Sequence, residues 1–186
     1  MPKIVDVDQR RAELADATAR VIARSGIDAA SMRCVAAEAG WTTGTLSHYF
    51  ANKRELLAFT LETSLARLRA RAASRVGLAP VDELRALLVD ALPITDESRL
   101  HWVVTLAFAA QATTDDGLAL IQQQANQQFL AYIAERQDGN GAQRRAEAER
   151  IAVLVDGIAV QALFDPAAWP PNRQVAALDA GLGRRR

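Results

Sequence analysis

The chain has 186 residues, half of them apolar, and 22 Lys and Arg against 22 Asp and Glu; that length can bury one full core or a small and a medium one. Charge or proline interrupts every apolar run well short of a membrane span, and Met1–Asp8 is polar and acidic rather than a signal peptide, so a cytoplasmic protein with no membrane partner is expected. The one cysteine, Cys34, excludes an internal disulfide, and no His or second Cys stands at metal-ligand spacing to it. No metal or cofactor is expected, and the thiol should be a small buried packing group.

Residues 1–7 read as an arm, and Asp8 as the cap of a helix reaching Arg24 or Ser25. Leu14, Ala17, Val21 and Ile22 form its apolar stripe, Arg10, Arg11, Arg20 and Arg24 its wet side, and Gly26 its end. The stretch SMRCVAAEAGWTTGTLSHYFANKRELL, from Ser31 to Leu57, is the most tightly specified part of the chain. Ser31 can accept from the free amides of a helix running to about Ala39, with Val35, Ala36 and Ala39 on one face. Gly40 supplies a positive-φ stop, Trp41 turns back into the core, and Thr42 can cap a second helix carrying Leu46 and Phe50 at i, i+4. Two helices joined by a tight glycine turn predict a helix-turn-helix.

With Leu46 and Phe50 inward, Thr43, Gly44, Thr45, Ser47, His48 and Tyr49 are left for solvent or a partner, and such an uncharged polar surface suits base edges and phosphates. Asn52 and Glu55 resemble a capping box, which sets Lys53 at a helix start where charge and unpaired amides together suit a phosphate. Arg33, at the start of the preceding helix, is a further candidate base reader.

Gly40 followed by an aromatic residue and a Thr cap, then Gly44-Thr45-Leu46, Tyr49-Phe50 and Lys53 with Glu55-Leu56-Leu57, is similar to the DNA-binding domain of the TetR family of transcriptional regulators. The resemblance extends over Gln9 to Leu61. Ser47 stands where that family most often has Tyr, and Ser47-His48-Tyr49-Phe50 resembles the subset containing betaine-pathway, choline-responsive repressors. The resemblance implies an all-α protein in which Thr42, Thr43, Gly44, Thr45, Ser47, His48, Tyr49 and Lys53 face DNA.

From Lys53 a helix with Leu56, Leu57, Leu61, Leu65 and Leu68 on one line, and Arg67, Arg69, Arg71 and Arg75 solvated, should run to about Val76. In the family such a helix links the DNA-binding domain to the regulatory one. Gly77 and Pro80 mark the boundary, giving a DNA-binding domain at 1–52 completed by the start of the helix 53–76, and a regulatory and dimerisation domain at 77–186. Residues 1–75 carry 12 basic against 8 acidic side chains and residues 76–186 carry 10 against 14. A basic end beside an acidic remainder suits a protein that meets DNA with one end.

Five more helices are predicted, at Pro80–Leu92, Asp96–Thr113, Asp115–Gln137, Gln143–Phe164 and Asn172–Leu182, with no strand signal, for about nine in all. Leu100–Thr114 lacks charge and should be the central helix of the second domain. Gln122, Gln123, Gln124, Asn126, Gln127 and Gln128 form a mostly exposed polar face, because a buried amide is costly unless paired. Ile151, Leu154, Val155, Ile158 and Ala162 lie on one side of the next helix, with Val153, Val160, Leu163 and Phe164 on others. One core cannot bury both sides, so a homodimer is expected, with Val175, Leu178 and Leu182 of the last helix joining Ile151, Leu154, Val155, Ile158, Val160 and Ala162 in its interface. In the family the last two long helices pair with their copies.

The reading that follows is a homodimeric repressor holding a pseudo-palindromic operator until an apolar or amphipathic small molecule releases it. Its pocket is expected from Trp102, Phe108, Phe129 and Tyr132, with His101, Gln111 and Gln128 as polar handles. A narrower option has Trp102 and Tyr132 hold a quaternary ammonium. The alternative, a helical small-molecule-binding protein or enzyme without a DNA role, finds no glycine-rich, nucleophile-elbow or zinc-ligand motif, and no catalytic residue is assigned.

Overall fold

A computed structural model of the chain describes residues 6–73 and 80–183. Gly77, Arg75, the expected helix end near Val76 and the side chains of Leu68 and Arg69 lie outside the described residues. The described residues form nine helices and no strand: α1 (Val7–Ser25), α2 (Met32–Glu38), α3 (Thr43–Ser47), α4 (Lys53–Ala73), α5 (Pro80–Ala91), α6 (Asp96–Ala112), α7 (Asp116–Ala134), α8 (Gly141–Phe164) and α9 (Pro171–Gly181). None is long and apolar enough to cross a membrane.

The chain forms two compact units. One takes the chain up to Leu65 together with Val103–Ile121, and the other takes Ala66–Trp102 with the chain from Gln122 onward. The division falls inside α4, α6 and α7, so the charge-free stretch of α6 after Trp102 belongs with the N-terminal helices, not at the centre of a second domain as its composition suggested.

In the first unit α1 is capped two residues earlier than expected. Asp6, not Asp8, accepts from the amides of Asp8 and Gln9 at 3.1 and 3.2 Å, and Asp8 sits in the first turn, where its charge suits the helix dipole. Leu14, Ala17, Val21 and Ile22 are buried as the stripe predicts. Helices of seven and five residues, such as α2 and α3, do not persist alone. Val35, Ala36, Leu46 and Phe50 anchor them, each at most 1% exposed, and at about 1.5–3 kcal/mol for a buried Val, Leu or Phe side chain these four contacts outweigh any propensity term.

The second unit is built on Leu84, Leu87, Leu88, Leu92, Trp102, Ile133, Ile151, Val155, Ile158 and Leu178, contributed by α5 to α9. Arg85 clamps Asp179 through two hydrogen bonds of 2.6 and 2.8 Å, tying α5 to α9. Arg150 donates to the Gly181 carbonyl at 2.8 Å and ties α8 to the end of α9. A capping box opens α8 two residues before the expected start, with Asn140 accepting from the Gln143 amide and Gln143 returning the bond.

Candidate nucleic-acid interface

Gly40 carries φ +73 and ends α2. Behind it the Trp41 amide bonds back to Ala36 O at 2.8 Å, closing the turn. Trp41 is half-buried between the Arg10 guanidinium, 5.3 Å from its ring centroid, and the Tyr49 ring at 5.5 Å. Thr42 caps α3 by accepting from the Thr45 amide at 3.1 Å, and its hydroxyl lies 2.9 Å from that of Thr45. Ser47 donates to the Thr43 carbonyl at 3.0 Å. Thr42, Thr43, Gly44, Thr45, Ser47 and His48 are all exposed, while Tyr49 is half-buried and spends one ring face on Trp41. The α3 surface therefore presents pre-oriented hydroxyls and an imidazole.

At the start of α4, Asn52 accepts from the Glu55 amide at 2.9 Å, and the Glu55 carboxylate accepts from Ala51 N at 2.8 Å. The reciprocal bond reaches one residue further back than the expected box. Lys53 donates its ammonium to the Asp28 carbonyl at 3.2 Å.

Most arginines of the wet face of α1 are engaged within the protein. Arg20 and Arg24 both hold Glu38, at 2.9 and 3.0 Å, and their hydrogen bonds keep its carboxyl below the usual range. Arg11 pairs with Glu55 and lies against the Phe50 and Phe59 rings. Arg33 is exposed and, among the described residues, makes no ion pair. Cys34 corrects an expectation: it is exposed, because α2 turns Val35 and Ala36 inward and leaves the preceding position outside.

Two further residues of this unit escaped the sequence reading. Arg54 pairs with Asp115 at 3.1 Å, and the two line a cleft of about 280 Å³ with Ile27, Asp28, Lys53, Leu57, Gln111 and Leu118. The sequence placed Asp115 only at the start of a predicted helix, which said nothing of a partner 61 residues away.

The expected pocket residues divide between the units. Phe108, fully buried, and Gln111 belong to the first. His101, Trp102, Gln128, Phe129 and Tyr132 belong to the second. Trp102 is buried and donates its indole N–H to the Ala91 carbonyl, so it serves the core there. Tyr132 donates to Glu83 at 3.1 Å, and the Arg136 guanidinium lies 3.5 Å from its ring centroid. That ring face already holds a cation. Arg136 also pairs with Glu83 at 3.0 Å, and these two donors, Arg136 first, keep the Glu83 carboxyl low. Gln128 is exposed. Among the described residues, Thr105 Oγ1 in the first unit and Gln122 Oε1 in the second are buried polar atoms without a hydrogen-bond partner, and composition gave no sign of either.

The expected interface residues also divide. Ile151, Val155, Ile158 and Leu178 are consumed by the core of one chain, Ala162 is buried, and Leu154 and Leu182 pack against that core. Val160 and Val175 are half-buried. The free side of α8 carries Val153, 70% exposed, Gly157 and Phe164, 76% exposed.

Residues 14–58 match the model of bacterial regulatory proteins of the tetR family, and residues 80–185 match that of the C-terminal part of BetI-type transcriptional repressors. The chain is 33% identical over 177 residues to the HTH-type transcriptional regulator PksA of Bacillus subtilis, covering 89% of this chain and 84% of that protein. A transcriptional regulator from Rhodococcus sp. Rha1 shares 34% identity and superposes with a TM-score of 0.84, over 93% of this chain and 94% of that one. A regulator from Saccharomonospora viridis, crystallised in complex with choline, has the same fold at 19% identity, with a TM-score of 0.83 over 96% and 97% of the two chains.

Proposed function

Because the chain belongs to the TetR family of bacterial transcriptional regulators and binds DNA through a helix-turn-helix, we propose that it is a homodimeric repressor that a small molecule releases from its operator. The observation that carries the reading is the corner at Gly40. There α3 presents Thr43, Gly44, Thr45, Ser47 and His48 to solvent, with Arg33 on α2 and Lys53 on α4 as flanking cations. The hydroxyls and imidazole suit base edges, and the cations suit phosphates.

Two such corners in a symmetric dimer would read half-sites about 34–36 Å apart and so a pseudo-palindrome. Support for the dimer comes from Val153, Val160 and Phe164 on the free side of α8, an apolar surface that one chain does not cover. The second copy would cover it. Effector binding is supported by the match of the C-terminal region to BetI-type repressors. An apolar or amphipathic molecule fits better than a quaternary ammonium held by Trp102 and Tyr132, since the first ring is core and the second already faces Arg136. A ligand would act by binding better to a conformation whose two corners no longer match the half-sites.

The test selects sequences from random DNA with purified protein. Recovery of a pseudo-palindrome with half-sites one helical turn apart is expected, and recovery of a single asymmetric half-site would overturn the dimeric reading. Titration calorimetry of the wild type and Trp102→Ala with candidate effectors, beside a DNA-release assay, tests the pocket. Release of both proteins at equal ligand affinity would remove Trp102 from it.

A further inference from the structure

Arg54 follows Lys53 in the first turn of α4, yet its guanidinium is turned toward the start of α7. Its Nη2 lies 3.1 Å from Asp115 Oδ2, while the other oxygen of that carboxylate accepts from the amides of Gly117 and Leu118 at 3.0 and 3.2 Å. One side chain thus caps α7 and holds a cation from α4. Residue 117 is glycine, and a Cβ there would stand 2.8 Å from Arg54 Nη1. Any larger residue would push the guanidinium aside. Lys53 and Asp28 line the same cleft.

An exposed ion pair adds little to stability, and Arg54 is 65% exposed. Its consequence lies in what it holds. The first turn of α4 carries Lys53, and through the Asn52 cap and the Ala51–Glu55 bond it fixes the segment leaving α3. We infer that Arg54 and Asp115 are positioning residues for DNA binding, whose ion pair holds the first turn of α4 on the start of α7 and so sets how α3 and Lys53 meet the DNA. The inference rests on the DNA-binding reading of this unit, and it predicts a sign that simple electrostatics does not. Removing the Asp115 carboxylate from a DNA-binding unit should tighten binding if charge alone matters, because phosphates repel carboxylates. Positioning requires the opposite.

Wild type, Arg54→Lys, Arg54→Ala, Asp115→Asn, Gly117→Ala and Lys53→Ala are compared for affinity to the selected DNA by fluorescence anisotropy over a salt series. Asn caps a helix as well as Asp, and the methyl added by Gly117→Ala meets first the flexible end of Arg54, so both variants keep the fold while the ion pair is lost or displaced. Asp115→Asn, Gly117→Ala and Arg54→Ala should each weaken binding about threefold, the scale of an exposed ion pair, with the salt slope unchanged. Arg54→Lys should stay near wild type. Tighter or unchanged binding by Asp115→Asn overturns the inference. So does a slope lower by about one in Arg54→Ala, which would make Arg54 a direct phosphate contact. If Lys53→Ala weakens binding and the ion-pair variants do not, only the inference fails; if the wild type selects no DNA, the DNA-binding reading fails with it.

Discussion

The Gly40 corner and the long helix α8 face opposite problems. α2 and α3 have seven and five residues and too little surface to hold themselves, so Ser31 and Thr42 are spent on caps and Trp41 on ring contacts. α8 has 24 residues and more apolar surface than its own chain covers, with Val153 and Phe164 left outside. A short motif is specified by its punctuation, which stands in the sequence at fixed offsets. A long helix is specified by which side its neighbours take, and that is a property of the whole core.

The largest effect should separate the two sides of α8 and its neighbour. Leu178 is 0% exposed, so Leu178→Asp buries a charge without a partner, at a cost of about 3–5 kcal/mol. Unfolded or insoluble protein is expected. Phe164→Glu, on the free side, should instead give a folded monomer by sedimentation, with wild-type helicity. If Phe164→Glu stays dimeric while a soluble Leu178→Asp becomes monomeric, the buried side is the interface after all.

That pair of variants marks where sequence reasoning stopped. Helix order and type were legible throughout, because Gly40, Pro93, Gly139 and Asp165-Pro166 each stop a helix by a local rule. The exposed set on α3 was legible too, except for Tyr49, whose ring packs on Trp41, since Leu46 and Phe50 leave a single outward face. The burial of Ile151, Val155 and Ile158 was not: periodicity shows that α8 is apolar on several sides and gives no means of ranking them. Arg54 and Asp115 were illegible for a different reason. An ion pair across 61 residues leaves no local pattern.

A smaller effect tests the punctuation itself. Gly40 has φ +73 and open space where a Cβ would sit, so Gly40→Ala meets only backbone strain, about 1–2 kcal/mol for a left-handed residue. Thermal unfolding should show that loss, and DNA affinity should fall with it as the α2–α3 angle relaxes. Unchanged melting and binding would mean that the turn tolerates another conformation. Lys53→Ala should leave stability alone, because it gives up one exposed hydrogen bond to Asp28 O. It should weaken binding to all DNA sequences alike and flatten the salt slope by about one. An unchanged slope would remove Lys53 from the interface.

A further effect concerns the second unit alone. His101 lies beside the Trp102 ring, edge-on at 6.3 Å. Burial first, then the Arg71 charge, hold its pKa down at about 4 against the opposing pull of Glu97. The folded value is below the ordinary 6.5, so as pH falls the unfolded chain takes up its proton before the folded one does. Stability from the neutral imidazole is complete above about pH 6.5, declines through the window down to about 4, and is flat below it, where both states are protonated. His101→Gln removes that dependence. Thermal melts of wild type and His101→Gln at about pH 7.5, 6.5, 5.5 and 4.5 should converge as pH falls, or cross if Gln packs as well as the neutral ring. Carboxylates held low by arginine, such as Glu83 and Glu147, lose their contribution only as pH falls below about 4.5, and equally in both proteins. Curves that stay parallel from about pH 7.5 to 4.5 would mean that the imidazole is already solvated in the native state, and that the α6 end of the second unit is more open than the packing of Trp102 implies.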